Sequence, residues 1–277
     1  MESAKKETPA RARGGRTVLI TGASSGIGAV FARKLAARGH DLVLVARREN
    51  LLLELRDELE TEHGIRAEVL VADLADPSQL LRVEQRITEL DNLEILVNNA
   101  GFGREGKFAE IDVDGQVEMI QVHVVAGVRL TRAALPGMIE RGRGAIVNVS
   151  SLAGYMSIPG AVTYCATKAY LNVFSETLDA ELRGTGVHVQ LLCPGYTYSG
   201  FHETGEYKDF DRSQIPKALW MPAEKVVAAS LKALDRKRRL CIPGVRYRLL
   251  SVILRSRLFR PILREAARVA SPRWRPS

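Results

Sequence analysis

Residues 17–28 read TVLITGASSGIG. Thr17–Thr21 is a short, apolar, β-branched run, the pattern of a strand covered on both faces. Gly22, Gly26 and Gly28 follow at G-x-x-x-G-x-G spacing, and an amphipathic stretch runs on from Ile27 to Arg38. Glycines permit a tight strand-to-helix turn with backbone close to a ligand. The helix N-terminus adds free N–H groups and positive potential, a cradle for a pyrophosphate. The spacing differs from G-x-G-x-x-G, and a glycine turn by itself can be merely structural. Its place after the first strand of an alternating chain is what points to a dinucleotide.

The alternation continues outward from that turn. Strand-like runs occur at 41–46, 67–72, 94–98, 145–150, 188–193 and 239–242. Helix-like segments lie at 27–38, 49–63, 77–90, 113–141, 164–183 and 222–237. Strand and helix in alternation predict an α/β fold, a Rossmann-like doubly wound parallel sheet of about seven strands with helices on both faces. Residues 1–16 are expected to be a disordered basic arm, 17–244 an NAD(P)-binding domain, and 245–277 a basic amphipathic helical tail.

Composition narrows the function classes. The 277 residues are 46% hydrophobic and 26% charged, which excludes wholesale disorder. Cys165, Cys193 and Cys241 are far apart and odd in number, so neither a metal site nor a disulfide framework is expected, and a reducing, cytoplasmic setting is. The net charge is +8, yet from Arg236 onward twelve Arg, one Lys and one Glu give +12, leaving the body at −4. Basicity therefore belongs to the tail and gives no reason to expect nucleic-acid binding.

Four motifs stand in order: Thr21-Gly22 to Gly28, Asn98-Asn99-Ala100-Gly101, Tyr164-x-x-x-Lys168, and Pro194-Gly195. Together they resemble the short-chain dehydrogenase/reductase family, single-domain type, over residues 16–244. The resemblance implies an oxidoreductase that moves a hydride between a nicotinamide and a carbonyl or alcohol carbon. It implies cofactor contacts from Gly22, Ser24, Ser25, Gly26, Ile27 and Gly28. Further contacts would come from Asp73, Leu74, Asn99, Ala100, Gly101, Pro194, Gly195 and Ser199. It also implies a homodimer or homotetramer paired through the long helices.

The second strand ends at Ala46, where a carboxylate would accept from a ribose 2′-OH; Arg47 comes next instead. A guanidinium makes charge-assisted bonds to a 2′-phosphate, so NADP(H) is expected over NAD(H). Tyr164 and Lys168 are four apart and share a helix face. A phenol is a poor acid at neutral pH, and a neighbouring ammonium and a positive nicotinamide favour its phenolate. By resemblance Ser151 holds the substrate oxygen, Lys168 the nicotinamide ribose, and Ser150 is the neighbouring alternative to Ser151. The family's helix Asn is replaced by His123, which is either a substitute proton relay or a packed histidine. That departure keeps open a second reading, an NADP(H)-binding scaffold or sensor with weak catalysis.

Segment 195–221 is long for an α/β connection and carries Tyr196, Tyr198, Phe201, Tyr207, Phe210 and Trp220. With Leu152, Ala153, Tyr155, Met156 and Ile158 it suggests an apolar pocket for a small lipophilic carbonyl or alcohol, contacted by Ser151, Tyr164, Tyr196 and Phe201. In the tail, Leu250, Leu254, Leu258, Ile262 and Ala266 recur every four residues among arginines. Such a helix either touches a membrane peripherally or packs on the protein.

Overall fold

Thr17–Thr21 forms β1 with every residue buried, because strands lie on both of its edges and helices on both of its faces. The computed structural model describes residues 15–199 and 215–255. The expected arm at 1–16 and the tail beyond Arg255 fall almost wholly outside the described residues, as do Phe201, Tyr207 and Phe210.

From β1 the chain runs through α1 (Gly26–Ala36), β2 (Asp41–Ala46), α2 (Glu49–His63), β3 (Ala67–Val71), α3 (Pro77–Thr88) and β4 (Leu93–Asn98). It continues through α4 (Val113–Ile120), α5 (Ala126–Glu140), β5 (Gly144–Val149), α6 (Val162–Glu181) and β6 (Val187–Leu192). Then come β7 (Thr197–Tyr198), β8 (Met221–Pro222), α7 (Ala223–Asp235), β9 (Leu240–Cys241) and α8 (Val245–Arg255). Seven parallel strands form one sheet in the order β3-β2-β1-β4-β5-β6-β9. The doubly wound α/β fold is the one expected, and the order reverses between β1 and β4, where a crevice opens at the strands' carboxyl ends.

Alternate residues of β1 feed the two cores. Val18 and Ile20 pack with Phe31 and Leu35 of α1, Leu52 and Leu59 of α2, and Val227 of α7. Leu19 packs on the other face with Val83 of α3 and Leu130 of α5. The expected single helix over 113–141 is one rod interrupted by a π-helical turn at Gln121–Val125. Such a turn widens the ladder and often marks a functional site.

α8 is tied to the body. The buried Tyr247 hydroxyl accepts from the Tyr196 N–H at 3.1 Å and bonds the Leu219 carbonyl. Its ring packs so close to Gly195 that a Cβ there would lie 2.1 Å from the ring. Glycine at 195 is thus required by the approach of α8. The fourfold spacing expected to mark a single lipid or protein face holds differently: Leu254 is buried and Leu250 borders the crevice, while Val245, Leu249, Val252 and Ile253 are exposed. The helix is apolar on two sides, and the fourfold rule picks out only the inner one.

Candidate active site

The cleft above the sheet measures about 960 Å³, within the range of a dinucleotide and a small substrate. It starts at the glycine turn. Gly22 (φ 65°) and Gly26 (φ 54°) have left-handed backbones, which L side chains rarely adopt. Gly28 has ordinary dihedrals but sits under the turn, where a Cβ would meet the Gly22 carbonyl oxygen at 2.2 Å. The Asn99 side chain donates to the Thr21 and Gly22 carbonyls at 2.9 and 3.2 Å, so it holds the turn from below. Ser25 starts α1 without capping it by its side chain, which leaves the N–H groups of the first turn facing the cleft.

Gly22, Ser24, Ser25, Gly26, Ile27, Arg47, Asp73, Leu74, Asn99, Ala100 and Gly101 all line this cleft, whereas Gly28 lies behind it. The arginines divide their work in a way not expected. Arg48, which follows Arg47 in the sequence, reaches Ser24 Oγ at 2.9 Å and Ser25 Oγ at 2.6 Å. Arg47 lies 3.5 Å from both Asp73 and Glu118 carboxylates and is largely exposed. The cationic corner beside the glycine turn is therefore built by Arg48 with two hydroxyls. Arg47 stands across from it, held between two acids.

At the other end, Ser151, Tyr164, Lys168, Pro194, Gly195, Tyr196 and Ser199 line the same cleft. Ser151 lies two residues past the end of β5 and starts a 3-10 turn, accepting from the Ala153 N–H at 3.1 Å. Tyr164 is hydrogen-bonded to Ser151, one turn before Lys168 on α6. Lys168 Nζ donates to the Val149 carbonyl at 3.0 Å and lies 5.7 Å from the centre of the Tyr164 ring. Ser150 turns away: its hydroxyl lies 3.0 Å from the Lys168 carbonyl and 2.6 Å from Asn172 Oδ1. Ser199 abuts Gly26, where a Cβ would lie 2.3 Å from the Ser199 carbonyl oxygen.

The protein by itself does not lower the phenol's pKa. Burial pushes Tyr164 up to about 12 against the pull of its Ser151 bond. Burial also brings Lys168 down to about 8. In both groups desolvation by burial is the largest cause, and it works against the charged form.

His123 sits in the π-helical turn, buried, facing a small cavity beneath the cleft. The Phe102 N–H donates to its Nε2 at 3.1 Å, which places the ring proton on Nδ1. Nδ1 lies 2.9 Å from Thr167 Oγ1, and that hydroxyl donates to the Tyr164 carbonyl at 2.9 Å. Burial, and secondarily the charge of Lys168, hold its pKa well below 6.5. Both ring nitrogens are engaged by protein groups and burial disfavours the charged ring, an arrangement that fits the packed histidine given as the alternative to a relay. His123 braces the loop after Asn99 against α6.

The model of the short chain dehydrogenase family matches residues 16–208. Ketoacyl reductase HetN from Nostoc sp. is 35% identical over 225 residues, which span 80% of this chain and 76% of HetN. The chain belongs to the short-chain dehydrogenase family. A short-chain dehydrogenase from Sphingobium yanoikuyae, solved in complex with NADPH, is 38% identical with a TM-score of 0.79, over 86% of this chain and 92% of that one. The bulky-bulky ketone specific alcohol dehydrogenase from Comamonas testosteroni is 31% identical with a TM-score of 0.74, over 95% and 96%. Like its relatives, this short-chain dehydrogenase is an oxidoreductase of carbonyl and CH–OH groups.

Several residues lining this dehydrogenase's cleft were not singled out by sequence reasoning: Phe102, Glu105, Thr197, Leu219 and Tyr247. Tyr247 could have been flagged, since it is the first aromatic of the tail. Glu105 had no motif to mark it, and its carboxylate adds to the upward push on Tyr164 and Tyr196. The expected apolar wall is present as Leu152, Ala153, Met156 and Ile158. Tyr155 turns out of the cleft and carries the Arg255 guanidinium 5.6 Å above its ring.

Proposed function

We propose that this chain is an NADP(H)-dependent reductase that interconverts a lipophilic ketone or aldehyde and its alcohol, with Tyr164 as the acid/base. The observation that carries it is one continuous cleft with a cationic, hydroxyl-lined corner at one end and the Ser151–Tyr164–Lys168 cluster at the other. The corner fits the cofactor: left-handed glycines, an uncapped helix start and Arg48 form an anion-binding donor set. Arg48, Ser24 and Ser25 would hold a 2′-phosphate, with Arg47 beside them. Asp73 and Leu74 would border the adenine, and Lys168 the nicotinamide ribose. The nicotinamide, when bound, supplies or accepts the hydride.

Ser151 and Tyr164 would both bond the substrate oxygen. Ser151 stabilises charge developing there, and the Tyr164 hydroxyl gives its proton to that oxygen during reduction. A phenol held near 12 stays protonated across the neutral range, the form that gives its proton to the substrate oxygen during reduction. The apolar wall and the similarity to a bulky-ketone dehydrogenase support a substrate with large hydrocarbon groups.

We assign self-association to the outer faces of α4 and α6, which touch each other. Val117 and Ile120 on α4 and Tyr170 and Val173 on α6 are exposed there. The buried free thiols suit a reducing, cytoplasmic compartment. The test of function is NADPH oxidation by the purified chain across a panel of ketones, small to bulky. Turnover rising with substrate bulk is the expected result. Tight NADPH binding with no carbonyl reduced would instead favour the sensor reading.

A further inference from the structure

We propose that the outer face of α8 docks this protein on an anionic lipid surface. Successive helical residues turn by about 100°. On that wheel Val245, Leu249, Val252 and Ile253 share one arc, and Leu249 and Val252 are 66% and 69% exposed. Tyr247, Ser251 and Leu254 occupy the opposite arc and are buried against the body. Arg246 borders the exposed stripe on one side and Arg248 on the other, while Arg255, next to Arg248 on the wheel, is turned to Glu176 and the Tyr155 ring. Among the described residues no helix is long and apolar enough to cross a membrane, so the geometry is that of a helix lying in the interface.

Charge selects the occupant. Sequence beyond Arg255 adds six arginines against one glutamate. A second copy of α8 related by a two-fold axis would set this arginine-bordered stripe against itself. Folding residues 256–277 back over the stripe would likewise bring arginine onto arginine. A nucleic acid would satisfy the arginines but leave the apolar stripe in water. Acidic headgroups above an acyl layer satisfy both at once.

Docking there has a consequence for the cleft. Tyr247 and Leu250 of the same helix line it, so its substrate end would open beside the lipid. That consequence rests on the proposed reduction of a lipophilic carbonyl; the docking itself does not.

The test is co-sedimentation of the full chain, without cofactor or substrate, with two kinds of vesicle. One is phosphatidylcholine alone, the other phosphatidylcholine mixed with phosphatidylglycerol. Binding to the mixed vesicles, weakened by salt, is expected. The Leu249→Glu/Val252→Glu variant should bind at least about tenfold more weakly with an unchanged thermal midpoint. Should that variant fail to fold, Leu249→Cys carrying a polarity-sensitive dye replaces it, the three native thiols being buried. Its emission should shift blue on mixed vesicles. Wild type that ignores mixed vesicles overturns the proposal. So does a variant that sediments like wild type, or an unshifted dye. A wild-type dimer that the variant splits, with no vesicle binding by either, would overturn it in favour of a second copy.

Discussion

The two ends of the cleft are made differently. The cofactor end is mostly backbone: left-handed glycines, an uncapped helix start and carbonyls clamped by Asn99, all within the first strand-turn-helix unit and one neighbouring strand. The substrate end is made of side chains drawn from far-apart segments, the turn after β5, the loop after β6 and α8. A backbone cradle tolerates no added Cβ but leaves its surroundings free to vary. A side-chain wall tolerates substitution and sets what fits. One end therefore serves a fixed ligand and the other an adaptable one.

The sharpest way to break that division is Tyr164→Phe. It touches only the reacting end, so turnover should fall by about 10²–10⁴-fold while NADPH affinity stays. Titration of NADPH fluorescence beside a steady-state assay checks both. Next in size, Arg48→Ala should weaken NADPH on the order of 10–100-fold and leave NADH nearly unchanged. Arg47→Ala should cost less, since its guanidinium is already shared between Asp73 and Glu118. Equal losses for NADPH and NADH in Arg48→Ala would remove it from the 2′-phosphate.

Tyr247→Phe tests the other end. It strips the Tyr196 N–H and Leu219 carbonyl of their partner, a loss of roughly 1–3 kcal/mol in a buried setting. The thermal midpoint should drop and the ketone KM rise, with NADPH affinity unmoved. The smallest effect concerns His123. Its folded pKa lies below the unfolded value of about 6.5, so the unfolded chain binds the extra proton and stability falls as pH drops through and below that value. His123→Asn should flatten this acid limb in thermal melts. It should leave the pH profile of turnover in place, because both ring nitrogens are held by protein groups rather than by the reacting end of the cleft.

Lys168 serves the reacting end at a cost in stability. Its folded pKa of about 8 lies below the free value, so its burial opposes folding at neutral pH, and stability should rise from pH 8 toward 10.5. Lys168→Met should melt higher than wild type, by about 2–4 °C per kcal/mol regained, while losing turnover.

How much of this was legible in sequence follows the same division. The strands lie within a residue or two of their expected ends, because runs buried on both faces carry their own signature. The glycine turn, Asn99 and Ser151 come to one cleft or its floor from strand ends, and Tyr164 and Lys168 come to it from the first turns of α6. The division between Arg47 and Arg48 was not legible, since adjacent side chains at a strand end diverge and only the folded loop shows which one meets Ser24. Nor was the π-helical turn, whose extra residue hardly alters a helical apolar pattern. The two apolar sides of α8 defeat a periodicity rule that reports a single face.

The proposed cleft both holds NADP(H) and delivers a proton from Tyr164. Its most direct test mixes wild type with equimolar NADPH and a bulky ketone, following NADPH absorbance and the alcohol formed, beside Tyr164→Phe. Wild type should consume NADPH and form alcohol in equal amounts, and Tyr164→Phe should bind NADPH and consume almost none. Consumption by Tyr164→Phe at the wild-type rate would contradict the account.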